Sequence, residues 1–133
     1  MSARKLEDSL GNLERAVANL ERALTIPTDG ELVFEGTIHR FEITIELLWK
    51  TLKRALEFEG LSPKTPRDSV KEAFRVGWLH DEAVWLDMLD HRNTTSHTYL
   101  SDELVAANYR DIAKVTPMIR TTFDFLVQRY RAI

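Results

Sequence analysis

The sequence predicts an all-α fold, an antiparallel up-and-down bundle of four or five helices, on three observations. Apolar residues recur at steps of three and four along most of the chain, the spacing that places them on one face of a helix. No segment shows the apolar–polar alternation that is typical of a strand. Short loops that contain proline or glycine separate long periodic segments, as in bundles of antiparallel helices.

The first half of the chain predicts two long helices. The first carries an apolar stripe over residues 6–24 and ends at Pro27 and Gly30. The second covers about residues 31–58 and would span roughly 40 Å at 1.5 Å per residue. Its apolar face is broadened by a second line of apolar residues, which we expect to face a third element or another subunit. The residues of this second line are Ile43, Leu47 and Trp49.

Three further helices follow. Thr65 and Pro66 combine a capping hydroxyl with a proline at the first helical position, and predict a short third helix. The expected core residues of that helix are Val70, Ala73 and Phe74. A fourth helix begins near residue 80 and enters a polar block. Ser101 precedes two acidic residues and predicts the start of a last helix that reaches residue 130.

Composition limits the possible functions. At 133 residues the chain has the size of one domain, residues 1–133, and can bury one core. Its 44% hydrophobic and 29% charged residues are typical of globular proteins. The formal net charge of −3 gives no general attraction to nucleic acid, so any RNA contact would need a local basic cluster. Cysteine is absent, which excludes disulfides and thiolate metal sites.

The sequence also carries no sign of export or membrane insertion. The first ten residues are charged and lack the apolar core of a signal peptide. No run of 18 apolar residues occurs, so we expect no membrane-spanning helix. The expectation is a soluble cytoplasmic protein.

The polar block from His91 to Tyr99 holds the candidate catalytic residues Arg92, Asn93 and His97. A guanidinium has a planar fork of donors that suits phosphate, and a histidine with a pKa of about 6.5 can act as base and acid near neutral pH. The amide of Asn93 can donate a hydrogen bond to a developing oxyanion. These groups could cleave RNA without a metal, by attack of the ribose 2′-OH on phosphorus to give a 2′,3′-cyclic phosphate. The four histidines show no metal-ligand spacing, and no cofactor is expected.

Helix geometry leaves two arrangements of this block open. Asn93 and His97 are four residues apart and share a helix face, whereas Arg92 and His97 are five apart and lie about 140° from each other around the axis. For the arginine and histidine to converge, either the helix breaks within residues 94–96 or a second subunit supplies the converging groups.

Spacing alone is weak support for an active site. Arg75 and His80 repeat the arginine–four residues–histidine formula, with Gly77 and apolar residues between them. That copy is typical of a helix end that packs on a core. The copy at Arg92 has polar residues between the pair, but a solvated helix end remains its structural alternative.

On the second helix, Glu46 and Lys50 have the spacing and direction of a helical ion pair. A surface ion pair is the more common role for such residues. The alternative places Glu46 or Lys50 beside the cleft, where either would orient His97 or Arg92. Trp49 is more typical of a core or dimer interface than of a platform for base stacking.

Two segments together resemble a known family. Residues 40–53, Arg-Phe-Glu-Ile-Thr-Ile-Glu-Leu-Leu-Trp-Lys-Thr-Leu-Lys, resemble the signature helix of the nucleotidyltransferase substrate-binding-protein family, within the HEPN superfamily. Residues 91–99 resemble the arginine-(four to six)-histidine motif of that superfamily, in the variant with a tyrosine two residues beyond the histidine. The resemblance covers nearly the whole chain in helix order and length.

The resemblance implies a fold, partners and residue roles that spacing does not show. It implies a HEPN-like bundle that forms a homodimer and brings two polar blocks to one cleft. Its implied partner is a minimal nucleotidyltransferase. In toxin–antitoxin members the bundle is a metal-independent RNase toxin with RNA as a transient substrate, and the nucleotidyltransferase is an antitoxin that transfers AMP to the motif tyrosine. Arg92 and His97 would then be catalytic, Asn93 would assist, and Tyr99 would be modified. The alternative implied role is a non-catalytic subunit that presents substrate to the nucleotidyltransferase.

Overall fold

Five α-helices form the chain in the computed structural model, which describes residues 3–97 and 101–131, and the side chains of all of these except 92–97. The helices are α1 (Ala3–Ala23), α2 (Val33–Phe58), α3 (Pro66–Arg75), α4 (Glu82–His97) and α5 (Asp102–Tyr130). The predicted all-α bundle is confirmed, and no residue of the described ranges lies in a strand. None of these helices, over the described residues, has both the length and the apolar character needed to cross a membrane.

The core lies between α1, α2 and α5. The apolar stripe of α1 is completely buried, from Leu6 to Leu20. Two hydrogen bonds set the register of α1 and α2: Thr44 Oγ1 donates to the carbonyl oxygen of Ala16 (3.3 Å), and Arg40 Nη1 donates to that of Asn19 (2.8 Å). Higher numbers on α2 therefore pair with lower numbers on α1, so the two helices are antiparallel, and the C-terminal end of α1 lies beside the N-terminal half of α2.

Polar contacts attach α5 to the rest of the bundle. Arg120 Nε donates to Glu21 Oε2 over 3.0 Å, and this hydrogen bond lowers the pKa of Glu21. The hydroxyl of Tyr130 donates to Glu59 Oε2 over 2.7 Å, while burial, followed by this hydrogen bond, raises the pKa of Tyr130 to about 12. Near neutral pH the phenol keeps its proton and Glu21 keeps its charge, so both contacts persist.

The predicted helix starts are confirmed by their capping bonds. The backbone N–H of Asp68 donates to Thr65 Oγ1 over 3.0 Å, with Pro66 at the first position of α3. The N–H of Leu104 donates to Ser101 Oγ over 3.3 Å at the start of α5. Each cap satisfies a backbone donor that the first helical turn would otherwise leave unpaired.

A tight turn after α3 sets the direction of α4. Gly77 has a φ of +87°, a conformation that costs little only for glycine. Its N–H donates to the carbonyl of Phe74 (3.0 Å), and the N–H of Trp78 donates to that of Ala73 (2.9 Å). This is the two-bond Schellman ending of a helix. It buries Trp78 at the bundle end and allows α4 to return along α3.

Two apolar predictions are modified by the structure. Val70 and Ala73 are buried as expected, but the prediction that Phe74 faces the core is wrong, because 42% of it is exposed. The short α3 presents one narrow inner face, and Phe74 follows Ala73 by about 100° around the axis, outside that face. On α2, Leu47 and Trp49 are half-buried against the core, whereas Ile43 is 44% exposed.

Replacing the fully buried Leu52 tests the importance of the α2 core face. We expect Leu52→Ala to lower the free energy of unfolding by about 2–5 kcal/mol, because it removes apolar contacts and leaves a cavity. Urea unfolding at a fixed protein concentration measures the change. The control is Leu104→Ala at a position that is 53% exposed, where we expect a change within about 0.5 kcal/mol. Equal losses in the two variants would contradict the assigned core.

Candidate functional site

The end of α4 carries the polar block, and buried packing holds that helix in place. Trp85, Met88 and Leu89 lie in the core, where α4 packs against α2 and α3. At the position before His91, Asp90 Oδ1 lies 3.8 Å from Arg67 Nη1 at the start of α3. The packing and this surface ion pair fix the direction in which α4 leads into the block.

The helix α4 continues through the block to His97. The alternative in which the helix breaks within residues 94–96 is therefore not what the structure shows. On this continuous helix Asn93 and His97 occupy the same face, while positions 92 and 97 stay about 140° apart around the axis. The other arrangement, in which a second subunit supplies the converging groups, stays a prediction.

The roles assigned to individual residues of the block remain predictions. The structure places Arg92, Asn93 and His97 in α4 by their backbone, and their side chains lie outside the described part of the chain. Tyr99 lies outside the described residues altogether.

A groove separates α4 from α5 and contains two cavities. The one next to the polar block has a volume of about 260 Å³. It is lined by Phe41, Val84, Asp87, Met88, His91, Asp111, Ile112, Lys114 and Val115. The other, of about 360 Å³, lies between Trp85 and Phe125, towards the opposite end of the bundle. The first cavity thus combines an apolar floor with hydrogen-bonding groups, directly before Arg92 in the chain.

Sequence reasoning did not identify this cavity. Its one local signal is the four-residue spacing of Asp87 and His91, which places two polar groups on one face of α4. The opposite wall, with Asp111, comes from α5. No local pattern reports that α4 and α5 stand apart, so the cavity follows only from the packing of the whole bundle.

Glu46 and Lys50 form the predicted ion pair on α2. Lys50 Nζ lies 3.6 Å from Glu46 Oε1, with 51% and 40% of the two side chains exposed. Exposed pairs at this helical spacing contribute about 0.3–0.5 kcal/mol to stability. The role of these residues beside the cleft stays a prediction.

Trp49 is half-buried and packs against the core, as expected for a structural tryptophan. Its Nε1 atom is buried and has no hydrogen-bond acceptor among the described residues. The ammonium of Lys50 lies 5.9 Å from the ring centroid. With one face near a cation and an edge in the core, the indole resembles a packed side chain more than a free stacking platform.

The second arginine–histidine pair with this spacing, Arg75 and His80, flanks a turn. Arg75 ends α3 and pairs with Glu72, with Nη2 2.7 Å from Oε2. His80 lies beyond Gly77 and before the start of α4, and it is exposed. The two residues therefore stand on either side of a chain reversal, unlike positions 92 and 97 on one helix. Among the described residues, no cluster of three or more histidine and acidic side chains could hold a metal ion.

Comparison with known proteins identifies the family. The family model described as "Nucleotidyltransferase substrate binding protein like" matches residues 8–127, which include both the α2 signature segment and the polar block. The chain belongs to this family. The resemblance to the HEPN-type substrate-binding proteins is thereby confirmed.

Two relatives extend the family assignment. A protein of Haemophilus influenzae (strain Rd) called "Probable ribonuclease HepT" is 32% identical over 81 residues, which are 57% of this chain and 56% of the relative. The match thus spans little more than half of that relative. A crystal structure of a Thermus thermophilus protein is 31% identical and superimposes with a TM-score of 0.78, covering 86% of this chain and 98% of the other. The family member and its structural relative therefore share the helical-bundle fold.

Proposed function

We propose that this family member is a HEPN-type toxin, a metal-independent endoribonuclease that a cognate minimal nucleotidyltransferase neutralises. The observation that carries the proposal is the arginine–asparagine–histidine block at the end of a continuous α4, inside the segment that matches the family. The name of the Haemophilus influenzae relative, a probable ribonuclease, supports the same activity.

In the proposed reaction Arg92 binds the scissile phosphate through its guanidinium fork. His97 accepts the proton of the ribose 2′-OH as the 2′ oxygen bonds to phosphorus, and the imidazolium returns a proton to the 5′ oxygen as the phosphorus–oxygen bond breaks. The products are a 2′,3′-cyclic phosphate and a 5′-hydroxyl. Asn93 donates a hydrogen bond to the phosphoryl oxygen that gains charge. Glu46 and Lys50 are the proposed supporting residues that orient the arginine or the histidine.

The proposed active unit is a homodimer. Positions 92 and 97 lie about 140° apart around the axis of one regular helix, so we propose that the guanidinium and the imidazole at one phosphate come from two α4 helices. A two-fold axis near the ends of two α4 helices would bring the arginine of one protomer towards the histidine of its partner.

Tyr99 is the proposed control point. The nucleotidyltransferase would join the tyrosine hydroxyl to the α-phosphorus of ATP, with release of pyrophosphate and of the phenolic proton. The product carries a bulky anionic nucleotide two residues beyond His97. Its phosphate would occupy Arg92 or repel the RNA backbone, because like charges at short distance oppose binding.

A second candidate function has its own support. The description of the matched family as substrate-binding favours a non-catalytic subunit that presents substrate to a nucleotidyltransferase. Such a subunit would leave RNA intact and would raise the activity of its partner, so the two candidates differ in a direct assay of RNA cleavage.

We expect the purified chain to cleave single-stranded RNA in excess EDTA and to leave 2′,3′-cyclic phosphate ends. Arg92→Ala and His97→Ala should each lower the rate by about 100-fold or more, since each removes a phosphate ligand or a proton-transfer group. Gel analysis with end-group mapping measures the effect. The double variant Arg75→Ala/His80→Ala removes the same residue types at the same spacing and should retain activity. Full cleavage by both α4 variants would contradict the assignment.

Mixing the two inactive variants tests the shared site. If arginine and histidine come from different protomers, a mixed dimer of Arg92→Ala and His97→Ala chains contains one intact site. Random exchange should then restore roughly a quarter of the wild-type activity. Co-expression with two affinity tags isolates the mixed dimer, which has one intact site of two and should show about half of the wild-type activity. No recovery in a verified mixed dimer would indicate that each site lies within one chain.

Incubation with the cognate nucleotidyltransferase, ATP and Mg²⁺ should raise the mass of the peptide containing Tyr99 by one AMP group and abolish RNA cleavage. Tyr99→Phe should resist both changes because it lacks the accepting hydroxyl. Tyr109→Phe, at another tyrosine near the start of α5, is the control and should behave as wild type. Peptide mass spectrometry measures the modification. An unchanged mass with an active partner would count against the switch.

A further inference from the structure

A shallow groove of about 320 Å³ lies on the outer surface of α2, away from the groove between α4 and α5. We name it the α2 basic groove, and its lining residues are Lys5, Trp49, Lys50, Lys53, Arg54 and Glu57. Four of these six residues are cationic and one is acidic. The concentration of positive charge contrasts with the net charge of −3 of the chain.

The groove retains much of its positive charge. Lys53 and Arg54 are half-buried and form no ion pair with any residue that the structure describes. Two other arginines of the bundle are paired: Arg75 with Glu72, and Arg120 with Glu21. In the α2 basic groove, Lys53 and Arg54 are therefore the cations that form no ion pair with a described carboxylate, while Lys50 pairs with Glu46 and Glu57 adds one negative charge to the lining.

Packing keeps part of the groove in a defined shape. Trp49 forms an apolar wall, and Lys50 lies both over its ring at 5.9 Å and beside Glu46 at 3.6 Å. The indole Nε1–H is buried and has no acceptor among the residues that the structure describes. A fixed wall beside partly buried cations lowers the conformational entropy lost when an anion binds.

We propose that the α2 basic groove binds the phosphate backbone of single-stranded RNA and holds the substrate while the polar block cleaves it. The proposal rests on the proposed ribonuclease function. It adds a binding surface in which Lys53 and Arg54 have no assigned part in the reaction, while Lys50 is also one of the proposed supporting residues.

The position of the groove favours a polymer over a mononucleotide. Phe41 lines the cavity beside the polar block, and Lys53 lies 12 residues further along α2, which corresponds to roughly 18 Å of helix. Twelve residues also turn the helix by about 120°, so a single nucleotide cannot contact both places and only a strand that follows the surface around α2 reaches from one to the other. The lining is also mostly charged, while the centre of a protein–protein interface is depleted of charge, so RNA fits the groove better than a protein partner.

Few phosphates would contact the groove, so binding should be weak and sensitive to salt. For single-stranded nucleic acid, each neutralised phosphate contributes a slope of about −0.7 to the logarithm of affinity against the logarithm of salt concentration. A transient substrate needs this kind of binding, because the cleaved strand must leave.

The test uses the chain of residues 1–133 and a fluorescein-labelled 2′-O-methyl oligonucleotide, which has no 2′-hydroxyl nucleophile and stays intact. Fluorescence anisotropy measures affinity at several salt concentrations. Lys53→Gln/Arg54→Gln should weaken binding by about tenfold at low salt and reduce the salt slope by about 1.4, the contribution of two phosphates. The matched control is Lys64→Gln/Lys71→Gln, which removes the same charge from exposed positions outside the groove and should bind as wild type.

Four results would overturn the proposal: unchanged binding in the groove variant, equal losses in groove and control variants, no binding by the wild type, or normal RNA binding with loss of the nucleotidyltransferase complex. If circular dichroism shows that the double variant is unfolded, the single variants Lys53→Gln and Arg54→Gln should each reduce the slope by about 0.7.

A wild-type chain that binds the probe through the groove but cleaves no RNA would refute the ribonuclease function alone. Cleavage without any effect of the groove variants would refute the groove alone.

Discussion

A regular helix turns by about 100° at each residue, and α4 keeps this turn through the polar block. This constraint determines how the proposed site can be built. Residues at the spacing of Asn93 and His97 share a face, but the arginine at position 92 does not join them. The proposed chemistry requires a guanidinium and an imidazole around one phosphate, and on this geometry the proposal takes them from two helices. Dimerisation would then be a condition for activity rather than an addition to it.

The long α2 is the element that all the other helices contact. Its buried face includes three threonines at seven-residue steps, Thr37, Thr44 and Thr51, and each donates its hydroxyl to the carbonyl four residues earlier. These internal bonds let small polar residues sit in the core without an unsatisfied hydroxyl. Thr44 also bonds to α1, so the threonine line includes a point of close contact between the two helices. The opposite face of the same helix remains available for charged groups.

Local features of the fold followed from the sequence because short-range chemistry determines them. The capping hydroxyls of Thr65 and Ser101 need only the next three residues, and the α1 stripe needs only the helical period. The exposure of Phe74 and the cavity beside His91 did not follow, because each depends on how distant helices pack. A residue adjacent in sequence to a buried residue can lie outside a narrow contact face, and the neighbouring residues in the sequence do not indicate that it is exposed.

The candidate site also has a part that could be predicted from the sequence and a part that could not. The residue types of the polar block, and its resemblance to a family motif, could be read from the chain. The proposed convergence of the arginine and the histidine could not be read in this way, since it depends on the course of α4 and, in our proposal, on a second molecule. The α2 basic groove was also missed: Lys50, Lys53 and Arg54 stand in one short segment, but only the structure shows that Lys5 from α1 joins them. A net charge summed over the chain conceals such a local excess.

The weak overall charge has a consequence for the proposed control at Tyr99. A strongly basic protein holds RNA through many phosphates, and one added anion would change its affinity little. In a chain of net charge −3, substrate binding rests on a few local contacts, and Arg92 is the proposed contact at the reacting phosphate. A nucleotide attached two residues beyond His97 would add its negative charge where those few contacts act. In this proposal one covalent group inhibits the ribonuclease without unfolding it, because the binding free energy that it must oppose is small.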